Sequence, residues 1–189
     1  MVLGIALPPH VGILSVGLDT ATREKWGTTL VEVDGVECIV FLDVAPLGGD
    51  VLRTSAAEAC AVRDLCAALV AAGVPPHALG VIAPYRAQVA LIRNLLRRAG
   101  CGDLVVDTVD RFQGSARAAM LLSLVGGAGQ VGRLLQDERR LNVALTRARH
   151  KLVLLGNARE LRADPLYGRL LDAVGPPAPG DVMATGPER

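Results

Sequence analysis

Three short segments concentrate the residues that could do chemistry. Ala83-Pro84-Tyr85-Arg86-Ala87-Gln88 sets a cation and an amide where a strand gives way to a helix. Unpaired backbone N–H groups at a helix start attract anions, so this turn and Arg86 suit a phosphate. A plain proline-initiated helix is the simpler alternative. Asp107-Thr-Val-Asp-Arg-Phe-Gln-Gly114 packs two carboxylates, a hydroxyl, an amide and a glycine into eight residues. A folded core gains little from such polarity, which favours a binding loop over aspartates that merely cap a short helix. Thr108 is placed to bond a nucleic-acid phosphate, and Gln113 with Gly114 suits a turn beside a nucleotide. The third segment is Arg139-Arg-Leu-Asn-Val-Ala-Leu-Thr-Arg-Ala-Arg-His-Lys151. On a helix, Leu141, Ala144, Leu145 and Ala148 share an apolar face, while Arg140 and Arg147 share one stripe and Asn142, Thr146 and Arg149 another. Guanidinium groups held in a row recognise phosphate oxygens well. The competing reading is a solvated basic face, or one paired internally with Asp137 and Glu138.

The surrounding pattern predicts the elements that hold these segments. Thr28–Val33 and Val36–Leu42 flank Asp34-Gly35 as a hairpin would, although the apolar run 38–42 also suits a buried parallel strand. Pro46, Gly48 and Gly49 mark a loop. Thr54 or Ser55 then caps a helix to about Ala72, stopped by Gly73 and Pro75-Pro76. Further strands are expected at Leu79–Ala83, Leu104–Val106, Met120–Leu124 and Leu152–Gly156. Helices are expected at Tyr85–Ala99, Glu138–Arg149, Ala158–Arg162 and Asp164–Val174. Alternating strands and amphipathic helices make this an α/β fold with a mainly parallel sheet. Ligands gather beyond the carboxyl ends of such strands, where all three segments are expected to lie.

Bulk properties narrow the class. Of 189 residues, 51% are hydrophobic and 21% charged, enough for a sizeable core. Aromatics amount to only 3%, which argues against an interleaved stacking platform for single strands. The net charge of +1 hides a split: residues 1–92 hold 5 Lys/Arg against 9 Asp/Glu, and residues 93–189 hold 15 against 10. The basic second half is where a phosphate ligand is expected. No apolar run reaches the length of a membrane span, and the apolar start has no basic region before it, so neither a span nor a signal peptide is expected. Cys38, Cys60, Cys66 and Cys101 lack paired metal-site spacing, so no metal centre is expected and the chain reads as soluble and intracellular. His10, His77 and His150 are scattered, and no nucleophile–His constellation forms. No G-x-x-x-x-G-K-[ST] loop occurs, and Asp137-Glu138 precedes a basic helix rather than ending an apolar strand.

Taken together, VIAPYRAQ (81–88), VDTVDRFQG (106–114) and DERRLNVALTRARHKLVLLG (137–156) resemble the second RecA-like domain of superfamily 1 helicases in the up-frameshift-like branch. The resemblance runs from about residue 37 to 174. Within the branch it leans toward the eukaryotic replication helicase–nucleases, with the RNA-acting helicases second. It implies a RecA-like P-loop NTPase fold over 37–174, with an unassigned segment 1–36 and a tail 175–189 expected to be disordered. It also implies the C-terminal motor half of an ATP-dependent DNA helicase serving replication and repair. ATP and Mg2+ would be bound mainly by a first RecA-like domain acting in cis or trans, and single-stranded DNA would be the partner. By resemblance alone, the location would be the nucleus. Arg147 would be the arginine finger, with Arg140 supporting it. Pro84, Tyr85, Arg86, Gln88 and Thr108 would touch the DNA backbone, and Asp110, Gln113 and Gly114 would couple nucleotide state to strand grip. The family's usual acidic residue two after the glycine is here Ala116. Without Walker motifs, these 189 residues alone are not expected to hydrolyse ATP. The alternatives are a non-catalytic nucleic-acid or partner-binding remnant and half of an RNA helicase.

Overall fold

The computed structural model describes residues 11–16, 38–44, 53–112, 115–127, 130–131 and 137–174. The expected hairpin arm 28–33, its Asp34-Gly35 turn, the Pro46–Gly49 loop and the tail 175–189 lie outside the described residues. In chain order the elements are β1 (Val11–Val16), β2 (Cys38–Val44), α1 (Ala56–Ala71), β3 (Leu79–Ile82), α2 (Arg86–Arg98), β4 (Val105–Asp107), β5 (Arg117–Ser123), β6 (Gly126–Gly127), β7 (Gln130–Val131), α3 (Glu138–Leu145), β8 (Ala148–Gly156), α4 (Ala158–Leu161) and α5 (Pro165–Val174). Single 3-10 turns precede β3 (Pro76–Ala78) and follow β4 (Val109–Arg111).

The main sheet runs β1-β2-β8-β5-β3-β4. Five neighbouring strands are parallel, and β1 adds an antiparallel edge through pairs such as Val11↔Val44 and Gly12↔Asp43. The run at 38–42 does form a parallel strand, paired with β8. β5 and β8, buried on both faces, read as continuous apolar runs because helices cover each side. One cover is α1 and α2, whose Leu65, Leu69, Ile92 and Leu96 pack with Leu79, Val81, Leu121 and Val153. The other is the Val109–Arg111 turn with α3, α4 and α5, where Phe112, Leu141, Leu145 and Tyr167 meet Ile82, Met120, Leu122 and Leu154. Gly80 on β3 leaves room on this second face: a Cβ there would stand 2.6 Å from Met120 Sδ.

The helix starts follow from local chemistry. Ser55 caps α1 by accepting from Glu58 N, and Asp137 caps α3 by accepting from Arg139 N. One element departs from the pattern: α3 ends at Leu145, not at Arg149, and β8 begins at Ala148. The Thr146 hydroxyl donates to the carbonyls of Asn142 (2.8 Å) and Val143 (3.1 Å), tying up helix-end acceptors. The backbone is then captured by β5, with Arg117 N donating to Arg147 O at 3.0 Å.

Candidate functional site

The turn after β3 rests on a buried polar clasp. Pro84 is buried, Tyr85 half-buried and Arg86 exposed. Arg53 stacks over the Tyr85 ring at 5.9 Å. Gln88 is fully buried: its Oε1 accepts from Ser55 N (2.9 Å), and its Nε2 donates to Ser55 O (3.0 Å) and Ser123 Oγ (3.2 Å). Ser123 Oγ in turn donates to Glu58 Oε2 at 2.6 Å, which also accepts from Val125 N at 3.0 Å. The clasp thus joins the starts of α1 and α2 to the carboxyl end of β5. It also steadies Val125, a branched residue held at φ 46°. This corrects the expectation for Gln88. Its amide is engaged inside the fold, so it positions the turn instead of touching a strand.

The loop after β4 starts beside that turn, since Ala83 N donates to Asp107 O at 3.2 Å. Asp107 Oδ1 accepts from Thr108 N (2.9 Å), and Oδ2 lies 3.2 Å from Arg93 Nη2 and 3.8 Å from Arg111 Nη1. Thr108 is half-buried, and its side chain makes no capping bond to the following turn. Val109 and Phe112 are buried anchors on the α3 side. The chain then crosses β3 to enter β5 at Arg117, whose N–H meets Arg147 O. One segment therefore begins at the carboxyl end of the sheet beside Pro84 and finishes at the amino end beside Arg147. Gln113 and Gly114 lie within it, outside the described residues.

The third segment differs most from expectation. It precedes β8, so Arg147 stands at the amino end of the sheet, opposite the Thr108 end. Arg147 and Arg149 are also off the helix, which removes the seven-residue helical stripe. Turn geometry now holds the finger candidate. Arg147 Nε donates to Val143 O (3.0 Å) and its Nη2 to Thr146 Oγ1 (3.3 Å), leaving Nη1 unbonded among the described residues. Arg140 reaches back to the crossing loop, with Nε 3.7 Å from Asp110 Oδ1. That contact brings a proposed nucleotide-coupling residue against a proposed finger partner. Glu138 pairs with Arg169 on α5 at 2.6 Å, so the helix's basic residues are not neutralised by their own acidic start.

Sequence reasoning gave Ser55 only as a helix cap and did not find Glu58, Ser123 or Arg93. A buried Glu on an Ala-rich helix was the available signal, because an interior carboxylate needs donors. Among the described residues, no group of three or more His, Cys, Asp or Glu is placed to hold a metal ion, and no helix is long and apolar enough to cross a membrane. Cys66 is fully buried on α1, and burial, with Cys101 adding to it, pushes its thiol up to about 12.

Comparison with known proteins agrees with this architecture. Residues 36–159 match the family described as AAA domain. Over 152 residues the chain is 40% identical to the DNA replication ATP-dependent helicase/nuclease DNA2 of Mus musculus, covering 78% of this chain and 14% of that protein. Over 121 residues it is 42% identical to a Regulator of nonsense transcripts 1 homolog of Arabidopsis thaliana, covering 60% of this chain and 10% of that one. The chain thus spans only a small part of the curated relatives it matches. The solved C-terminal domain of a possible DNA helicase from Lactobacillus plantarum WCFS1 aligns with a TM-score of 0.51 over 85% of this chain and 98% of that one. Its 16% identity speaks for the fold alone. On the AAA-domain match from residue 36 to 159, the chain belongs to that family, with a RecA-like fold.

Proposed function

We propose that this chain is the C-terminal motor half of an ATP-dependent DNA helicase, with residues 37–174 as its working unit. The observation that carries the reading is the restraint on Arg147. Two bonds hold its guanidinium at the end of α3, and Nη1 makes none among the described residues. A pre-set guanidinium supplies charge to a phosphoryl group in transit without first having to be ordered. Arg140, half-buried and joined to Asp110, would support it and report its state to the loop that begins at Thr108. Pro84, Tyr85, Arg86 and Thr108 would meet the strand backbone, while Asp110, Gln113 and Gly114 would transmit nucleotide state along the crossing loop. The donor set fits nucleotide phosphates and, among the described residues, offers no carboxylate cluster for Mg2+; ATP with Mg2+ would be held chiefly by a first RecA-like domain. When bound there, it supplies the phosphoryl group whose transfer drives translocation. DNA is favoured over RNA because a DNA replication helicase/nuclease of Xenopus laevis is 44% identical over 158 residues, against 42% over 121 and 36% over 160 for nonsense-transcript regulators. A nuclear place in replication and repair follows from the same similarity.

The test joins residues 1–189 to a first RecA-like domain from such a relative and measures strand-stimulated ATP hydrolysis. Arg147→Ala should cut turnover by about 10³-fold or more, as loss of an arginine finger does. Retained turnover, or none in the parent fusion, would favour the non-catalytic binding module that Ala116 suggests. Competition between matched single-stranded DNA and RNA separates the two helicase readings.

A further inference from the structure

The proposed function uses only the first turn of α2, yet the rest of that helix is strongly basic. Between Arg86 and Arg98 it carries four arginines and no acidic residue. Its inward side is Gln88, Val89, Ile92 and Leu96. At 100° per residue, Arg86, Ala90, Arg93 and Arg97 fall within about 60° of one another on the outward side. The rise of about 1.5 Å per residue sets Arg93 and Arg97 roughly 10 and 16 Å beyond Arg86.

This row is tied to the loop that holds Thr108. Arg93 Nε and Nη2 donate to Val106 O at 2.9 and 2.6 Å, and Nη2 also reaches Asp107 Oδ2. Val106 and Asp107 are on β4, the outermost strand of the sheet, and Thr108 follows directly. Arg111, with a side chain 65% exposed, lies on the same carboxylate from the other side. Asp107 is thereby neutralised, and Arg86, Arg97 and Arg98 form no ion pair with any described residue. A solubilising face would interleave acids with its arginines; this one does not.

We infer that the outward face of α2, through Arg86, Arg93 and Arg97, is a track for the phosphate backbone of a single strand, continuing the path that begins at Tyr85 and Thr108. The inference rests on the strand-binding part of the proposed function. Backbone tracking fits the composition, because electrostatic grooves need no stacking aromatics to hold phosphates. A strand on this track would be gripped by charge along about three helical turns, independent of base sequence.

The experiment titrates the 189-residue chain with fluorescent single-stranded oligonucleotides of increasing length between 50 and 200 mM salt. Each phosphate contact contributes about 0.7 to the slope of log affinity against log salt for single strands. Arg97→Ala, which lies outside the proposed strand site, should therefore flatten the slope by about 0.7. Across that fourfold salt range, the parent then loses about 2.6-fold more affinity than the variant. The effect should be confined to oligonucleotides long enough to leave the turn at Tyr85, Arg86 and Thr108. Arg98→Ala, about 100° from Arg97 around the helix, removes the same charge off the row and should change the slope by less than half as much. Equal slopes for parent and Arg97→Ala, or an equal loss for Arg98→Ala, overturn the track. If Thr108→Ala weakens binding while Arg97→Ala does not, the track fails and the proposed strand site survives. If only Arg97→Ala acts, the track stands and the Thr108 assignment fails. No binding by the parent chain overturns both.

Discussion

The clasp and the Arg140–Asp110 pair handle polar groups in opposite ways. At the carboxyl end, Ser55, Glu58, Gln88 and Ser123 are all at most 5% exposed and bond one another at 2.6–3.2 Å. Between the turn after β4 and α3, Arg140 and Asp110 keep 41% and 58% of their side chains exposed and stand 3.7 Å apart. A buried, satisfied network is costly to disturb, because every member left unpaired keeps its full desolvation penalty. An exposed pair at that distance is worth little and can exchange partners. The clasp is thus built to keep a shape, and the exposed pair to exchange partners.

This contrast can be broken at four points. The largest effect is expected at Arg147. In the fused motor, Arg147→Ala should cost about 10³-fold in turnover while shifting the melting temperature by no more than 1–2 °C, roughly the scale of a surface substitution. A melting shift as large as that of a clasp variant would refute the division. Glu58→Ala comes next. It strips an acceptor from Ser123 Oγ and Val125 N and should lower stability by about 2–4 kcal/mol, or roughly 5–15 °C in a chain of this size. Calorimetry distinguishes this from an unchanged midpoint, which would mean that the clasp is not holding the fold.

The third test uses pH. Cys66 lies in the same buried layer as the clasp, with its thiol raised from 9.0 to about 12, chiefly by burial. Below pH 9 the thiol is protonated in both folded and unfolded states, so it gives no pH dependence. Between 9 and 12 the unfolded chain loses that proton first, and stability should fall by up to about 1.4 kcal/mol per pH unit. Denaturation midpoints at pH 8, 9.5 and 10.5 should show the decline, and Cys66→Ala should remove it. The smallest effect is expected at Asp110→Asn, which should change stability by less than about 0.5 kcal/mol. If Arg140 does relay nucleotide state, the same variant should weaken the dependence of strand affinity on nucleotide in the fused motor. Loss of stability without loss of that dependence would reassign Asp110 to packing.

How far the sequence revealed this molecule depends on how local the cause was. Helices α1 and α2 announce themselves through their apolar spacing and through the Gly73 and Pro75 stop, and β3 and β5 through short apolar runs. The end of α3 was hidden. Arg147-Ala-Arg-His-Lys151 continues a helical pattern, and pairing with Arg117, some thirty residues earlier, and with Cys38, still farther back, draws this stretch into a strand. The same applies to the site. Arg147, Arg140 and Thr108 stood out as residue types in suggestive order. Gln88 looked like one of them until Ser123, 35 residues away, was seen to occupy its amide. Glu58 and Ser123 are separated by 65 residues, a pairing that no spacing rule could anticipate.

The position of β8 has a consequence for how the molecule comes into being. This strand lies between β2 and β5, and its register pairs Lys151 with Cys38, more than a hundred residues earlier. During synthesis β2 leaves the ribosome long before the neighbour it needs on that side exists. Until residue 156 has emerged, an apolar strand with Phe41 and Leu42 must wait with one edge open, the condition in which chains stick to one another or recruit chaperones. A stop codon ahead of β8 would therefore leave β1 and β2 with no sheet to join and expose an aggregating edge, instead of yielding a smaller working protein.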